Sequence, residues 1–465
     1  MTTGTKAVGF KRVLRGLDMT LFSICAIIVL DTLGASASIG ASTIAWYIIT
    51  LVLFFIPYGL ITAELGAAYP EQGGIYAWVR RAFGQRWAAR TTWYYWINVA
   101  LWMPSVYVIF ASVLSQLFFP ELSLLWIIII GIVMTWVTVG VGIITLEVGK
   151  WVPNVGAIFK AVIILVLGFG GVIFALRHGV ANDLSLPALL PTWDIGLMFL
   201  PVIVYNFLGF ELMSGAGGEM KNPARDIPKA IITSGALIAF FYLFATIGML
   251  LAMPLEQLGL VSGIIDTLKA VLGESTLAAV MVTVLGIGVL YTFFANMVTW
   301  TMGANRTAAQ AAEERTLPEV FGRLHPVNKT PVGAYAITGI VSTVVVVVYG
   351  LLAGSNEDLF WTLFAFSSII FLLPYLMLFP AFLKLRASDP AAERPYRFPG
   401  GTAFGWIMSL VCMLFVLQAI VFFVWVPGTA IDWAYAIPIL IGVLVTLVIG
   451  EVLVWFPKKQ AAGAG

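Results

Sequence analysis

Apolar residues run along this chain in long blocks, separated by short stretches rich in Pro, Gly and charge. A hydrocarbon core about 30 Å thick takes about 20 apolar residues per helix, whereas a membrane β-strand shows apolar/polar alternation over about ten. The blocks here are of helix length and do not alternate. They predict twelve spans, at 17–41, 44–67, 91–118, 122–145, 152–176, 194–218, 229–253, 275–305, 333–353, 357–383, 403–427 and 433–456.

Composition gives the same class. Hydrophobic residues make up 61% of the 465, charged residues only 10%, and mean hydropathy is +1.00. A globular domain carries about 25% charged residues, so the expected fold class is an all-α membrane protein. The polar, basic start (Lys6, Lys11, Arg12, Arg15) leads into a full span without a small-residue cleavage pattern, which predicts a retained first helix. Cys25 and Cys412 lie in apolar spans and the two histidines are far apart in sequence, so no disulfide, metal or cofactor is expected.

The basic residues fix the expected orientation. With the amino terminus cytoplasmic, the inner segments hold all of the 25 Lys and Arg except Arg177 and Lys269 outside and Lys160 within the membrane. That asymmetry is what the positive-inside rule demands, so both termini are expected in the cytoplasm of a cell-membrane protein. The segment 254–274 is too polar to span and is expected to form short helices over the outer face.

Three ionisable groups fall inside spans: Asp31, Lys160 and Glu211. A carboxylate at bilayer depth costs about 2.5–3.5 kcal/mol on insertion scales, so Asp31 is expected to face a polar cavity and recruit a cation. Glu64 is near the inner end of its span, and helix-end chemistry accounts for it. Helix interruptions are expected where small residues gather: Gly34-Ala35-Ser36-Ala37-Ser38 through Ser42 in span one, and Gly209-Phe210-Glu211 followed by Ser214-Gly215-Ala216-Gly217-Gly218 in span six. Close helix packing also explains such small residues. Spans one and six are five apart, as a pair of inverted five-helix repeats requires.

The stretches Gly209-Phe210-Glu211 and Glu219-Met220-Lys221-Asn222-Pro223-Ala224-Arg225-Asp226-Ile227-Pro228-Lys229-Ala230 closely resemble the hallmark of the amino acid–polyamine–organocation (APC) superfamily. Tyr69-Pro70-Glu71-Gln72-Gly73-Gly74-Ile75-Tyr76 resembles that family's first inner loop. The resemblance implies a LeuT-type fold: a ten-helix core over 17–383, with repeats 17–176 and 194–383, helices one and six broken, and helices eleven and twelve at 403–456. Tails at 1–16 and 457–465 complete the expected organisation. It also implies secondary transport of amino acids or amines.

Members of the family often read Ala-Ile-Ile-Gly-Thr-Gly where this chain has Ala26-Ile27-Ile28-Val29-Leu30-Asp31, so Val29 and Asp31 replace glycines whose N–H groups hold a substrate carboxylate. Two carboxylates 4 Å apart repel by about 4 kcal/mol at an effective dielectric of 20, and an ammonium is attracted equally. The departure favours an organic amine or polyamine. With a register shifted by a few residues, Gly34, Ala35 and Ser36 supply a carboxylate nest, and an amino acid keeps its amine near Asp31.

Lys160 matches the fifth-helix lysine of sodium-independent relatives, which implies no sodium and a group able to take up and release a proton; the alternative is a side chain reaching the interface. Glu211 matches an acidic residue linked to pH sensing in arginine–agmatine antiporters; the alternative is an interhelical hydrogen bond that pins the break. Phe210 resembles the aromatic that closes over substrate. Trp102, Tyr107, Tyr205, Tyr291 and Phe294 are further candidates for the cavity wall, of which Tyr205 and Tyr291 join Gly209, Phe210 and Glu211 in the expected substrate set.

The leading function is therefore a sodium-independent, proton-coupled or exchanging transporter of organic amines or polyamines working by alternating access. A neutral or cationic amino acid permease or antiporter is the alternative. A channel lacks a visible filter or continuous polar pore, and an enzyme lacks a metal cluster or nucleophile elbow. Expected partners are a small amine or amino acid, protons and membrane lipids, with no nucleic acid, in a monomer or weak homodimer.

Overall fold

The computed structural model describes residues 16–71, 73–120, 122–144, 151–191, 197, 200–215, 220–259 and 262–455. The first span is α1 (Gly16–Ile27), a 3-10 turn (Leu30–Thr32) and α2 (Leu33–Ala37). The second is α3 (Thr43–Ala68), with a π-helical stretch at Leu51–Phe55. A short amphipathic helix, α4 (Ile75–Phe83), leads through Gly84 into α5 (Gln85–Phe118). Then come α6 (Leu124–Ile143), α7 (Trp151–His178), a turn of helix α8 (Leu186–Leu189), and the divided sixth span, α9 (Leu200–Asn206) and α10 (Glu211–Ser214).

The chain continues with α11 (Pro223–Ala252), α12 (Gly263–Leu272), α13 (Thr276–Glu313), α14 (Val332–Gly350), α15 (Asn356–Leu372) and α16 (Tyr375–Ser388). Two final helices, α17 (Gly401–Phe422) and α18 (Trp433–Trp455), follow. Eleven stretches of the described residues are long and apolar enough to cross a membrane, and the divided Leu200–Ser214 stretch supplies the twelfth expected span. The protein is a multi-pass membrane protein of the expected all-helical class. As expected, 254–274 forms short helices: a 3-10 turn at Leu255–Gln257 and α12.

Several helices outrun the apolar blocks. α5 starts at Gln85 rather than 91 and α13 continues to Glu313 rather than 305, because a helix is not obliged to stop where hydrocarbon does. The expected tails at 1–16 and 457–465 fall, apart from Gly16, outside the described residues, as do residues 216–218 of span six.

The packing centres on the divided spans. α1 lies against α7, α11 and α13; α5 lies against α13 and α15; and α7 packs on α11 and α13. Contacts related by a five-span offset occur together: α5 (third span) on the tenth, and the eighth on α7 (fifth). α17 and α18 sit at the periphery against α15, α16 and α5 and expose many large apolar side chains, the surface a lipid solvent covers.

One end of the bundle is tied by charge. Glu64, buried in α3, accepts from the Arg386 guanidinium at 2.9 and 2.6 Å and from the Phe398 main-chain N–H at 2.6 Å, with Arg394 at 3.3 Å. This agrees with the structural reading of Glu64. Nearby, Tyr69 donates to Asp389 at 3.1 Å, and Glu314 receives both Arg80 and Tyr76. Burial, with Asp389 beside it, pushes the Tyr69 phenol up to about 12, so it holds its proton at physiological pH.

Candidate substrate site

The site begins where α1 ends. Ile27, Ile28 and Val29 are consecutive β-branched residues, which are weaker helix formers, and Val29 is extended at φ −109°, ψ 108°. A helix end exposes carbonyls that must find partners, more so inside a membrane. Here neighbouring spans supply them. Lys160 donates to the Cys25 carbonyl at 2.6 Å and to that of Ile28. Asn296 donates to Cys25 at 2.7 Å and to Ala26 at 3.2 Å, and Trp300 donates to Ala26 at 3.0 Å. Tyr242 closes the gap, donating to the Ile27 carbonyl at 2.7 Å and accepting from the Val29 N–H at 2.8 Å.

Lys160 is thus buried in the break, with its cation at the negative end of a helix dipole. It does not reach for the interface. The first interruption lies at Ile28–Val29, where the family resemblance puts it, and not in the small-residue run. Gly34, Ala35 and Ser36 form part of α2, with the Gly34 carbonyl accepting from the Ser38 N–H at 2.9 Å. Small residues there allow close approach to other elements, and the helical bonds continue through them.

Past the gap, the 3-10 turn carries Asp31 into the interior. Its side chain is only 3% exposed, and neither oxygen is hydrogen-bonded by another described residue. The favourable influences on it are Lys160 and its own main-chain N–H, and it also interacts electrostatically with Tyr205 and Tyr242. A buried carboxylate with no donor from another described residue costs several kcal/mol, a cost that a nearby cation offsets.

The sixth span breaks opposite. α9 ends at Asn206, whose amide ties the two broken helices together: it accepts from Thr32 at 2.6 Å and donates to Ser36 at 3.2 Å. Gly209 has φ +129°, a region that a side chain makes costly. A methyl built on it would lie 3.0 Å from Ile27 and 3.1 Å from Trp300, so the two interruptions face each other across this glycine. The N–H groups of Gly209 and Phe210 donate to the Tyr58 hydroxyl at 3.0 and 2.8 Å.

Tyr58 donates its own proton to Glu211, which also accepts from Tyr95 at 3.0 Å and Tyr375 at 2.9 Å. The three phenols come from α3, α5 and α16. Glu211 is therefore caged by tyrosines in an interhelical arrangement, and both its oxygens are engaged. Phe210 turns away from the gap between the breaks: it stacks on Phe55 at 4.9 Å, and its ring fills the spaces left by Gly59 and Gly235.

The aromatic wall beside Asp31 is built from other residues. Tyr205 meets Trp102 edge-on at 5.8 Å and Phe371 at 5.6 Å; Trp300 meets Trp102 at 5.9 Å and Phe371 at 5.1 Å. Such ring faces attract an alkylammonium by about 0.5–2 kcal/mol. Tyr291 is elsewhere, donating to the Val152 carbonyl at 3.3 Å beside Phe159, and Phe294 lies with it. Tyr107 pairs with Thr138. No sequence motif marks Trp300, Phe371 or Tyr242, whereas Asn98, a polar residue inside an apolar span, could have been found by the reasoning that found Asp31.

Two interrupted helices facing each other inside a twelve-span helical bundle define a secondary transporter of the LeuT type. The family model described as amino acid permease matches residues 14–448, and the chain belongs to that family, within the APC superfamily. It is 36% identical over 93% of its length to a probable agmatine/putrescine antiporter of Lactococcus lactis, covering 92% of that protein. A probable polyamine transporter of Arabidopsis thaliana is 25% identical over 80% of this chain and 72% of its own length. A glutamate/gamma-aminobutyrate antiporter of Lactococcus lactis is 22% identical over 86% of this chain and 81% of its own.

Proposed function

We propose that this protein exchanges small organic amines across a cell membrane by alternating access, with Asp31 as the anchor for a substrate ammonium. The observation that carries the reading is the buried Asp31 carboxylate, without a hydrogen-bonding neighbour among the described residues, set between two helix breaks. The similarity to a probable agmatine/putrescine antiporter supports an amine substrate. Against an amino acid substrate stand the Asp31 charge and the Val29 N–H, which is already engaged by Tyr242.

In this reading the paired broken helices, α1–α2 of the first five-span repeat and α9–α10 of the second, rock against the rest of the core. Lys160 stands in the first break where a mobile cation would otherwise satisfy the carbonyls, which supports transport without sodium. Glu211 and Lys160 are the groups able to carry a proton during the cycle. The placement of Lys and Arg supports cytoplasmic termini. Isotope counterflow in proteoliposomes tests the substrate class: putrescine or ethylamine should drive label exchange and alanine or glutamate should not. Competition by amino acids alone contradicts the amine reading.

A further inference from the structure

The basic residues at the charged end of the bundle are not alike. Arg80 and Arg81 pair with Glu314 and Glu71, Arg386 and Arg394 pair with Glu64, and Arg90 grips Glu451 with two N–H groups at 2.5 and 2.7 Å. Arg86 and Lys384 rest on rings instead. The Arg86 guanidinium lies 5.7 Å from the centre of Trp455, and the Lys384 ammonium lies 4.8 Å from that of Phe83. Both residues are exposed, and neither has a carboxylate partner among the described residues. A ring contact steadies such a side chain without neutralising it.

Arg86 sits at the mouth of a fixed groove between α5 and α18. Three rungs join these helices in opposite chain order: Arg86 to Trp455, Arg90 to Glu451, and the Trp93 indole N–H to the Thr446 carbonyl at 3.1 Å. A methyl built on Gly450 would collide with the Trp93 ring, so the packing is close. Back along α18 from Trp455, the exposed side chains of Val452, Val448 and Val445 lie on one face and form an apolar track. The track ends at exposed Trp455, and exposed Trp87 lies beneath Arg90, its ring centre 5.2 Å from the guanidinium. Tryptophan gathers at the membrane–water boundary. Phe83 and Arg86 are three residues apart across the Gly84 turn, about 11 Å at most, so the Lys384 charge borders the same corner.

We propose that this corner holds an anionic phospholipid of the cytoplasmic leaflet, its phosphate between Arg86 and Lys384 and one acyl chain along Val445, Val448 and Val452. Glu451 offsets one of the three cations Arg86, Arg90 and Lys384, and the two that remain ask for an anion. A guanidinium fork matches phosphate oxygens, and a basic pocket between spans on the cytoplasmic side suits an anionic headgroup. A zwitterionic lipid brings its own cation to a positive corner and is disfavoured. Free phosphate leaves the apolar track uncovered, whereas a lipid satisfies both the charge and the track. Bound there, one phosphate joins α5 to α16. The inference rests on the cytoplasmic orientation of this end and is independent of the substrate.

The test is native mass spectrometry of the purified full-length protein in micelles doped with phosphatidylglycerol or with phosphatidylcholine of the same chains. The wild type should retain phosphatidylglycerol in preference and melt at a higher temperature with it. Arg86→Gln and Lys384→Gln should each lower that retention about fivefold, as expected for removing one charge beside an anionic lipid. Lys269→Gln, in α12 away from this corner, should leave it unchanged. Either corner variant alone decides if the other does not fold. Equal retention of the two lipids by the wild type, unchanged retention in the corner variants, or displacement of the lipid by inorganic phosphate overturns the proposal. Retention confined to dimers assigns the face to a second copy and overturns it as well. None of these outcomes bears on the reading of Asp31.

Discussion

The Lys160 ammonium donates to the Cys25 carbonyl at 2.6 Å, from one span into the broken end of another. The same side chain reaches the Ile28 carbonyl just past the helix end, so one cation bridges two carbonyls at the open end of α1. The break in the first span is therefore a tertiary feature, stabilised by residues more than a hundred positions away.

Lys160→Met should consequently do more than remove a charge. It leaves the Cys25 carbonyl with Asn296 alone and strips Ile28 of its side-chain donor, each unpaired buried group costing about 1–3 kcal/mol. The expected outcome is a lower melting temperature in detergent together with loss of exchange in proteoliposomes. Unchanged melting contradicts the bridging role.

At Gly209, the second break depends on the absence of a side chain. With φ +129° and Ile27 and Trp300 within about 3 Å of a built methyl, Gly209→Ala is expected to cost about 1–3 kcal/mol in backbone strain and to push the two breaks apart. Substrate affinity should fall with stability. Wild-type affinity in a folded Gly209→Ala protein contradicts the facing geometry.

Glu211 can bind a proton and a glutamine cannot. A glutamine also places an amide donor where three phenols now donate to a carboxylate. Exchange measured across a broad pH range should show a flattened profile in Glu211→Gln with some activity retained. A profile that keeps the wild-type shape removes Glu211 from the proton path and leaves it a pin for the tyrosines.

Glu64 joins α3 to Arg386, Arg394 and the Phe398 N–H. Its replacement by alanine leaves two largely buried guanidinium groups uncompensated, a change that costs about 3–5 kcal/mol. Thermal melting should drop sharply in Glu64→Ala, while a melt equal to wild type shows the cluster to be dispensable.

Much of this was legible from residue order. The spans follow from block length, and Asp31, Lys160 and Glu211 stand out because ionisable groups inside spans are expensive. The interruption in span one was less legible: small residues at 34–38 look breakable, yet α2 is helical there and the gap falls among the β-branched residues 27–29. The deciding partners, Tyr242, Asn296 and Trp300, are polar-tipped side chains with no local pattern. Aromatic residues make up 14% of the chain, so no count of rings separates Trp300 and Phe371, which line the wall, from Tyr291 and Tyr107, which do not. Phe210 carries the family motif but fills the spaces beside Gly59 and Gly235, a match of shapes set by distant helices.

If Asp31 holds the substrate ammonium, its charge must appear in the binding constant. Calorimetric titration of 1,4-diaminobutane into wild-type protein and into Asp31→Asn reads that charge without the complications of flux. Affinity is expected to fall about thirtyfold or more in the folded variant, equivalent to about 2 kcal/mol or more for losing one partner of a buried charge pair. Equal affinity in the two proteins would mean that the ammonium sits elsewhere.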